Sequence, residues 1–434
     1  MAFENEGVLK SQVEIPREEK VVVPKEYRVT FVMLVSCFIL WGLLNNTDNL
    51  VPAFGKIFMM SAVDSSLVQF AFYGSYAVLA IPAAIIIKKY TFRHGVLIGL
   101  GFYIVGALGY IPATILQNYN IFLVSIFILA GGLSILETTC NPRRINYAQA
   151  FNPLGSLAGL FMAKFMILGN LNPADYEERL AMDPTQLDAI RSTELLWVCI
   201  PYVGLIAIAL VIWIFFLKNK SSKRDEGGDL NFGHSLNSLL QNKRYVFGVI
   251  TQFFYVGMQI AVWTWMTKYV MTLTDLDEAT AVNKYLYAMV LFIVMRWLCT
   301  YLMKKFMPAR LMTVIAFIGI LVTFGTIYLP ASSSIVCLMI ISGCMSLMFP
   351  TIYGIALRGL GEEVKLGAAG LIMAILGGAL ITPYMGKVID TGSLAFLAPM
   401  YSGVEAAVRT SYYVPLICFV VVFLYGLFNS KKTK

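Results

Sequence analysis

The sequence predicts an all-α membrane protein with twelve transmembrane helices. Three observations lead there. Of 434 residues, 58% are hydrophobic and only 13% charged, against roughly 25% charged in an ordinary soluble domain. The apolar residues fall in runs of about 20, the length at which a helix crosses a bilayer. The connections between runs alternate between basic and acid-rich, as the two sides of a membrane require.

Taken in order, the predicted spans are 29–53, 66–88, 94–115, 120–141, 145–170, 195–217, 245–271, 280–302, 309–329, 333–357, 367–389 and 411–429. With residues 1–28 as a polar cytoplasmic tail, one set of connections holds Lys88, Lys89, Arg93, Arg143 and Arg144. The same set holds the cluster from Lys218 to Arg244, then Lys304, Lys305, Arg310, Arg358, Lys365 and the tail 430–434. The opposite set contains "NPADYEERLAMDPTQLDAIRSTE" and "TLTDLDEAT", both rich in acids. Basic residues favour the cytoplasmic side, so both termini are expected there, in a cell inner (plasma) membrane. The net charge of +8 is therefore read as topology, and no nucleic-acid partner is expected.

Residues 218–244 form the longest polar stretch and read as a cytoplasmic linker. They divide the chain into two six-span bundles, 29–217 and 245–429. A weak repeat supports the division. "IKKYTFRHGVL" follows span two and "MKKFMPARLMT" follows span eight, each with two lysines, an aromatic and an arginine. Lys88, Lys89, Arg93, Lys304, Lys305 and Arg310 are thus candidates for a paired cytoplasmic gating motif. Two parallel six-span halves are the architecture of the major facilitator superfamily, whose substrate site lies in a central cavity between the halves.

Two acids stand inside the spans. Asp48, in "LLNNTDNLVP", lies about 28 Å along span one; Glu137, in "LSILETTCNP", lies near the inner end of span four. Burying a carboxylate in a bilayer costs a few kcal/mol, so such groups face the bundle interior or water. Neither has a basic residue at i±3 or i±4 within its span. Desolvation without a fixed cation favours the neutral acid, as a reversible proton carrier requires. The structural alternatives are that Asp48 caps a helix break before Pro52 and that Glu137 pairs with Arg144.

Neutral polar residues recur at helical spacing. Asn146, Gln149 and Asn152 are three apart in span five. In span seven, Gln252, Tyr255, Gln259 and Trp263 form one stripe at offsets of 3, 7 and 11. Amides donate and accept, matching sugar hydroxyls, while an aromatic face packs on the C–H face of a pyranose. Hydrogen bonding between packed spans uses the same residue types. Gly131-Gly132, Gly377-Gly378, Pro350 and Pro383 mark expected bends or close approaches, and Arg296 is expected at the membrane interface.

The seven cysteines (37, 140, 199, 299, 337, 344 and 418) lie in or beside apolar segments without a CxxC, and His94 and His234 fall in connections. No metal, cofactor or disulfide framework is expected. An intramembrane enzyme would show two neighbouring acids, or an acid beside histidine or metal. A passive channel would need a ring of like groups. Neither pattern is present in the sequence.

The blocks "NNTDNLVPAF", "SILETTCNP", "INYAQAFNPLGS", "QFFYVGMQIAVW", "MSLMFPTIYGIALRGLG" and "LGGALITPYMGKVID" resemble the fucose–galactose–hexose–proton symporter family of that superfamily, in order and over nearly the whole chain. The resemblance implies two six-helix bundles, alternating access and no enzymatic activity. It implies two essential membrane carboxylates, which map to Asp48 and Glu137. The chain departs from the family twice. It reads Asn45-Asn46-Thr47-Asp48-Asn49 where the family reads Asn-Asn-x-Asn-Asp, and Arg143 follows Pro142 at once where relatives carry a longer segment. Together these features lead to the expectation of a proton-coupled symporter for L-fucose or a related neutral hexose. Asp48 and Glu137 are the expected coupling groups; Asn45, Asn46, Gln149, Asn152, Gln252, Tyr255, Gln259 and Trp263 are the expected lining. The alternative is a glucose or galactose symporter of the same family, coupled to protons or to sodium. The expected partners are a small neutral sugar, a proton and the lipid bilayer, with the chain a monomer.

Overall fold

The computed structural model describes residues 35–36, 40, 42–43, 50–89, 92–139, 152–174, 176–218, 232–274, 276, 278–303 and 305–430. The described residues are helical and contain no strand. The helices are α1 (Leu50–Ile57), α2 (Ala62–Ser65), α3 (Leu67–Lys89), α4 (Phe92–Leu108), α5 (Tyr110–Ile115), α6 (Tyr119–Thr139), α7 (Asn152–Met162), α8 (Tyr176–Leu180), α9 (Pro184–Lys218) and α10 (Phe232–Gln241). They continue as α11 (Lys243–Thr274), α12 (Glu278–Leu302), α13 (Pro308–Tyr328), α14 (Ala331–Met345), α15 (Met348–Leu357), α16 (Val364–Met373), α17 (Leu376–Thr391), α18 (Gly403–Thr410) and α19 (Tyr413–Ser430). Among the described residues nine stretches are long and apolar enough to cross a bilayer, and α3 adds a further apolar helix. These helices are apolar all round, because one side faces lipid and the other faces protein.

Without a hydrophobic force between helices in lipid, close packing must hold them together. Glycine permits it at two seams. A Cβ on Gly132 of α6 would lie 2.4 Å from the Gly99 carbonyl oxygen of α4. A Cβ on Gly377 of α17 would lie 1.8 Å from the Phe253 carbonyl oxygen of α11. Helices α3, α4, α6 and α9 pack on one another, as do α11, α13, α17 and α19. The two groups meet where α3 packs on α16 and α17, α2 on α17, and α7 on α12.

The antiparallel path gathers the helix ends onto two faces. The acidic face carries Asp64, Asp188, Asp390 and Glu405; the opposite, basic face carries Arg93, Lys305 and Arg310. On the acidic face, the Arg179 guanidinium holds both oxygens of Glu194 at 2.5 and 3.0 Å. Both side chains are at most 2% exposed. The pair fixes the chain before α9, where Glu194 also accepts from the Asn172 N–H at 2.8 Å. Arg409, buried, donates to Glu405 at 2.8 Å and to the Leu329 carbonyl at 2.9 Å, with its guanidinium 4.0 Å from the Tyr401 ring centroid.

Several element boundaries differ from expectation. The sixth span, expected to begin at 195, begins at Pro184 and runs 35 residues. Proline suits a helix's first position, and the Asp183 carboxylate accepts from the Thr185 N–H at 3.0 Å. At 1.5 Å per residue that helix measures about 52 Å, so its first turns stand outside a hydrocarbon core of about 30 Å. The 218–244 connection is not wholly a solvated linker: α10 buries Leu239 against Tyr245 and Leu360, and Ser238 donates to Glu363 at 2.9 Å. Pro350 lies in the first turn of α15, where no helical bond is lost. Pro383 lies inside α17 without ending it. The break in that span falls at Ala374-Ile375, between α16 and α17.

Candidate functional site

Glu137 ends α6 near the basic face and is 8% exposed. Its Oε2 meets no hydrogen-bond donor among the described residues, and none of the ion pairs there involves it. Across the boundary between the two helix groups, Tyr353 of α15 lies within its electrostatic reach. A buried carboxyl that lacks a cation is more stable protonated than ionised. Arg144, the alternative partner, lies outside the described residues.

Asn45, Asn46, Asp48, Gln149 and Lys304 also lie outside the described residues, as do the side chains of Lys88, Lys89 and Asn152; the backbone of Asn152 opens α7.

The expected stripe on α11 is present, with differing commitments along it. Gln252 is fully buried, and neither its amide nitrogen nor its oxygen has a partner among the described residues. Gln259 is half-buried. The Tyr255 hydroxyl donates to the Met345 carbonyl at 3.0 Å, and the Trp263 indole N–H donates to the Ser342 hydroxyl at 3.0 Å. The polar atoms of those two residues thus tie α11 to α14. The Trp263 ring also meets Phe292 edge-on at 5.2 Å. Within the stripe, Gln252 is the fully buried amide, unpartnered at both ends among the described residues.

Of the expected cytoplasmic motif, Arg93 is engaged. Its guanidinium donates to the Phe216 carbonyl at 2.7 Å and to the Leu217 carbonyl, satisfying the last turn of α9. Lys305 lies over the Tyr301 ring at 5.3 Å, and Arg310 is exposed. The two loops are alike in sequence but differ in what their basic residues hold.

Three basic residues also stand inside the spans. Arg296 is not simply at the interface: it is half-buried on α12 and acts electrostatically on Tyr255. Lys164, next to α7, donates to the Asn283 side chain on α12. Lys268 on α11 lies 5.8 Å from the Trp265 ring centroid and acts on Asp390 of α17. A charge inside an apolar run was the signal in each case, and it is as readable for a base as for an acid. Lys268 lines a cavity of about 190 Å³ between α1 and α2 on one side and α11 on the other, with Val51, Pro52, Ser65 and Trp265. This cavity lies toward the acidic face, away from Glu137. Among the described residues, no cluster of His, Cys, Asp and Glu could hold a metal ion.

Comparison with known proteins agrees with this arrangement. The chain is 40% identical over 425 residues to the L-fucose-proton symporter of Haemophilus influenzae, covering 93% of this chain and 97% of that protein. It is 26% identical to the glucose/galactose transporter of Brucella abortus, over 94% of this chain and 96% of that one. The crystal structure of the Escherichia coli fucose:proton symporter superposes with a TM-score of 0.73 at 30% identity, covering 93% of this chain and 98% of that one. The D-xylose-proton symporter structure, at 13% identity and a TM-score of 0.64, shares the fold. Residues 50–383 match the Major Facilitator Superfamily, and the chain belongs to that superfamily of membrane transporters.

Proposed function

We propose that this protein is a proton-coupled symporter that imports L-fucose or a closely related neutral hexose by alternating access. The observation that carries this reading is Glu137: a carboxyl almost wholly buried, with one oxygen unpartnered and no cation paired to it among the described residues. The 40% identity to an L-fucose-proton symporter over nearly the full length supports the sugar.

In the proposed cycle the basic face is cytoplasmic, as are both termini, and the protein sits as a monomer in the inner membrane. The bundles 29–217 and 245–429 rock about a site near the midplane. Asp48 and Glu137 take up a proton from outside. The neutral site accepts sugar on the amides of Asn45, Asn46, Gln149, Asn152, Gln252 and Gln259, with Tyr255 and Trp263 supplying apolar ring surface. After the halves rock, the proton leaves inward. Each proton contributes about 2.3 kcal/mol per 100 mV of membrane potential, which sustains roughly fifty-fold sugar accumulation at one proton per sugar.

The test is uptake by proteoliposomes containing the purified protein, with a panel of L-fucose, D-galactose and D-glucose. L-fucose should be concentrated, with alkalinisation of the outside medium. Accumulation that continues unchanged after the proton gradient is collapsed rules the coupling out. Preference for D-glucose or D-galactose selects the function of the more distant relatives instead.

A further inference from the structure

On the acidic face the two groups of helices are tied by a few single hydrogen bonds. The Val63 N–H of α2 donates to the Asp390 carboxylate of α17 at 3.0 Å. The Gln69 amide of α3 donates to the Thr264 hydroxyl of α11 at 3.3 Å. Lys164 donates to Asn283. Beneath the first of these bonds lies the cavity lined by Ser65, Trp265 and Lys268. Ser65 is 3% exposed, so the cavity's floor is shielded while α2 stays seated on α17. Of the three, the Gln69–Thr264 bond joins neutral groups, and the one to Asp390 is exposed to water. Exposed and neutral bonds contribute little individually, as contacts broken in every cycle must.

Lys268 is the odd member of this arrangement. Its ammonium is half-buried in the cavity wall, faces the Trp265 ring and makes no ion pair within 4.0 Å among the described residues. The carboxylate that it acts on, Asp390, is directed to Val63 of the other group. We propose that Asp390 is the latch of the outer gate, clasped by the Val63 amide when the outside is shut and taken over by Lys268 when it opens. Withdrawal of α2 frees the carboxylate and admits water to the cavity, and the two opposite charges, both on C-terminal helices, then pair. The exchange of partners keeps the Asp390 charge matched in both states, so neither state is favoured strongly. The proposal rests on the alternating-access reading and on the acidic face being external. It does not depend on which sugar or ion is carried.

The experiment follows the gate directly. Ser65→Cys places a thiol at the cavity floor, and a membrane-impermeant maleimide is applied to intact cells without sugar. Labelling is measured against the same chain without the Ser65 change. Asp390→Ala should raise the rate at least threefold. Val63→Pro should do the same, because proline has no N–H to donate and is tolerated in a helix's first turn. It reads the same bond from the other side should Asp390→Ala not fold. Lys268→Ala should lower the rate at least twofold, since it removes the open state's partner. The latch is overturned if either folded gate variant labels no faster than the parent, or if Lys268→Ala labels as fast as the parent or faster. Since no sugar or proton gradient enters the readout, a failed latch and a failed assignment of substrate are told apart.

Discussion

Among the described residues Gln252 lies fully buried with both ends of its amide unmatched, a burden that packing alone does not explain. A buried polar group without a partner costs about 1–3 kcal/mol. Gln252→Met keeps the unbranched shape and removes that cost. It should raise the thermal midpoint of the purified protein while weakening L-fucose binding at least tenfold. A variant that is stabilised and binds normally would remove Gln252 from the sugar site. Glu137→Gln should abolish uphill uptake but preserve exchange of labelled for unlabelled sugar, because the amide mimics the protonated acid and cannot release the proton. Glu137 was legible in the sequence because a lone acid in an apolar run needs a reason. Lys268 and Lys164 meet the same criterion. The ties of Tyr255 and Trp263 to α14 were not legible, because a periodic stripe shows which residues share a face and not what that face meets.

At the scale of elements, two contacts decide whether the helices can assemble. Gly377→Ala would force a methyl into the Phe253 carbonyl, 1.8 Å away, with backbone on both sides and no flexible side chain to yield. It should leave little protein in the monodisperse fraction on size exclusion. Gly354→Ala, with nothing within 4 Å of its new Cβ, should elute like the parent. Arg179→Met leaves Glu194 buried without its cation, at a cost of about 3–5 kcal/mol. Adding Glu194→Leu should restore much of that loss in thermal unfolding. Helix existence was readable from apolar run length, but helix limits were not. The extra turns of α9 come from a polar stretch capped by Asp183, and α10 is a polar helix held by a few buried residues. Hydropathy detects neither. The break at Ala374-Ile375 lies before the glycine pair, which serves the close approach to α11 instead.

At the scale of the molecule, the assignment of outer and inner gates depends on which face is outside. Among the described residues, Arg93, Lys218, Lys243, Lys305 and Arg310 reach one face, while Glu177, Glu178, Asp183 and Asp188 reach the other. The helix path keeps these two sets apart. The long α9 illustrates this, with exposed Gln186 at its acidic-face head and the Arg93-capped turn at its foot. Arg179 and Arg409 are cations on the acidic face, but each is buried against a glutamate and carbonyl oxygens, so neither adds net positive charge to that surface. With the basic face cytoplasmic, a cysteine at Gln186 should react with an impermeant maleimide in intact cells. A cysteine at Arg310, exposed at the foot of α13, should react only in inverted vesicles. The reverse pattern would turn the protein over and make the latch at Asp390 an inner gate, while sugar and proton would still enter together, because the gradients and not the orientation of the chain set the direction of net symport.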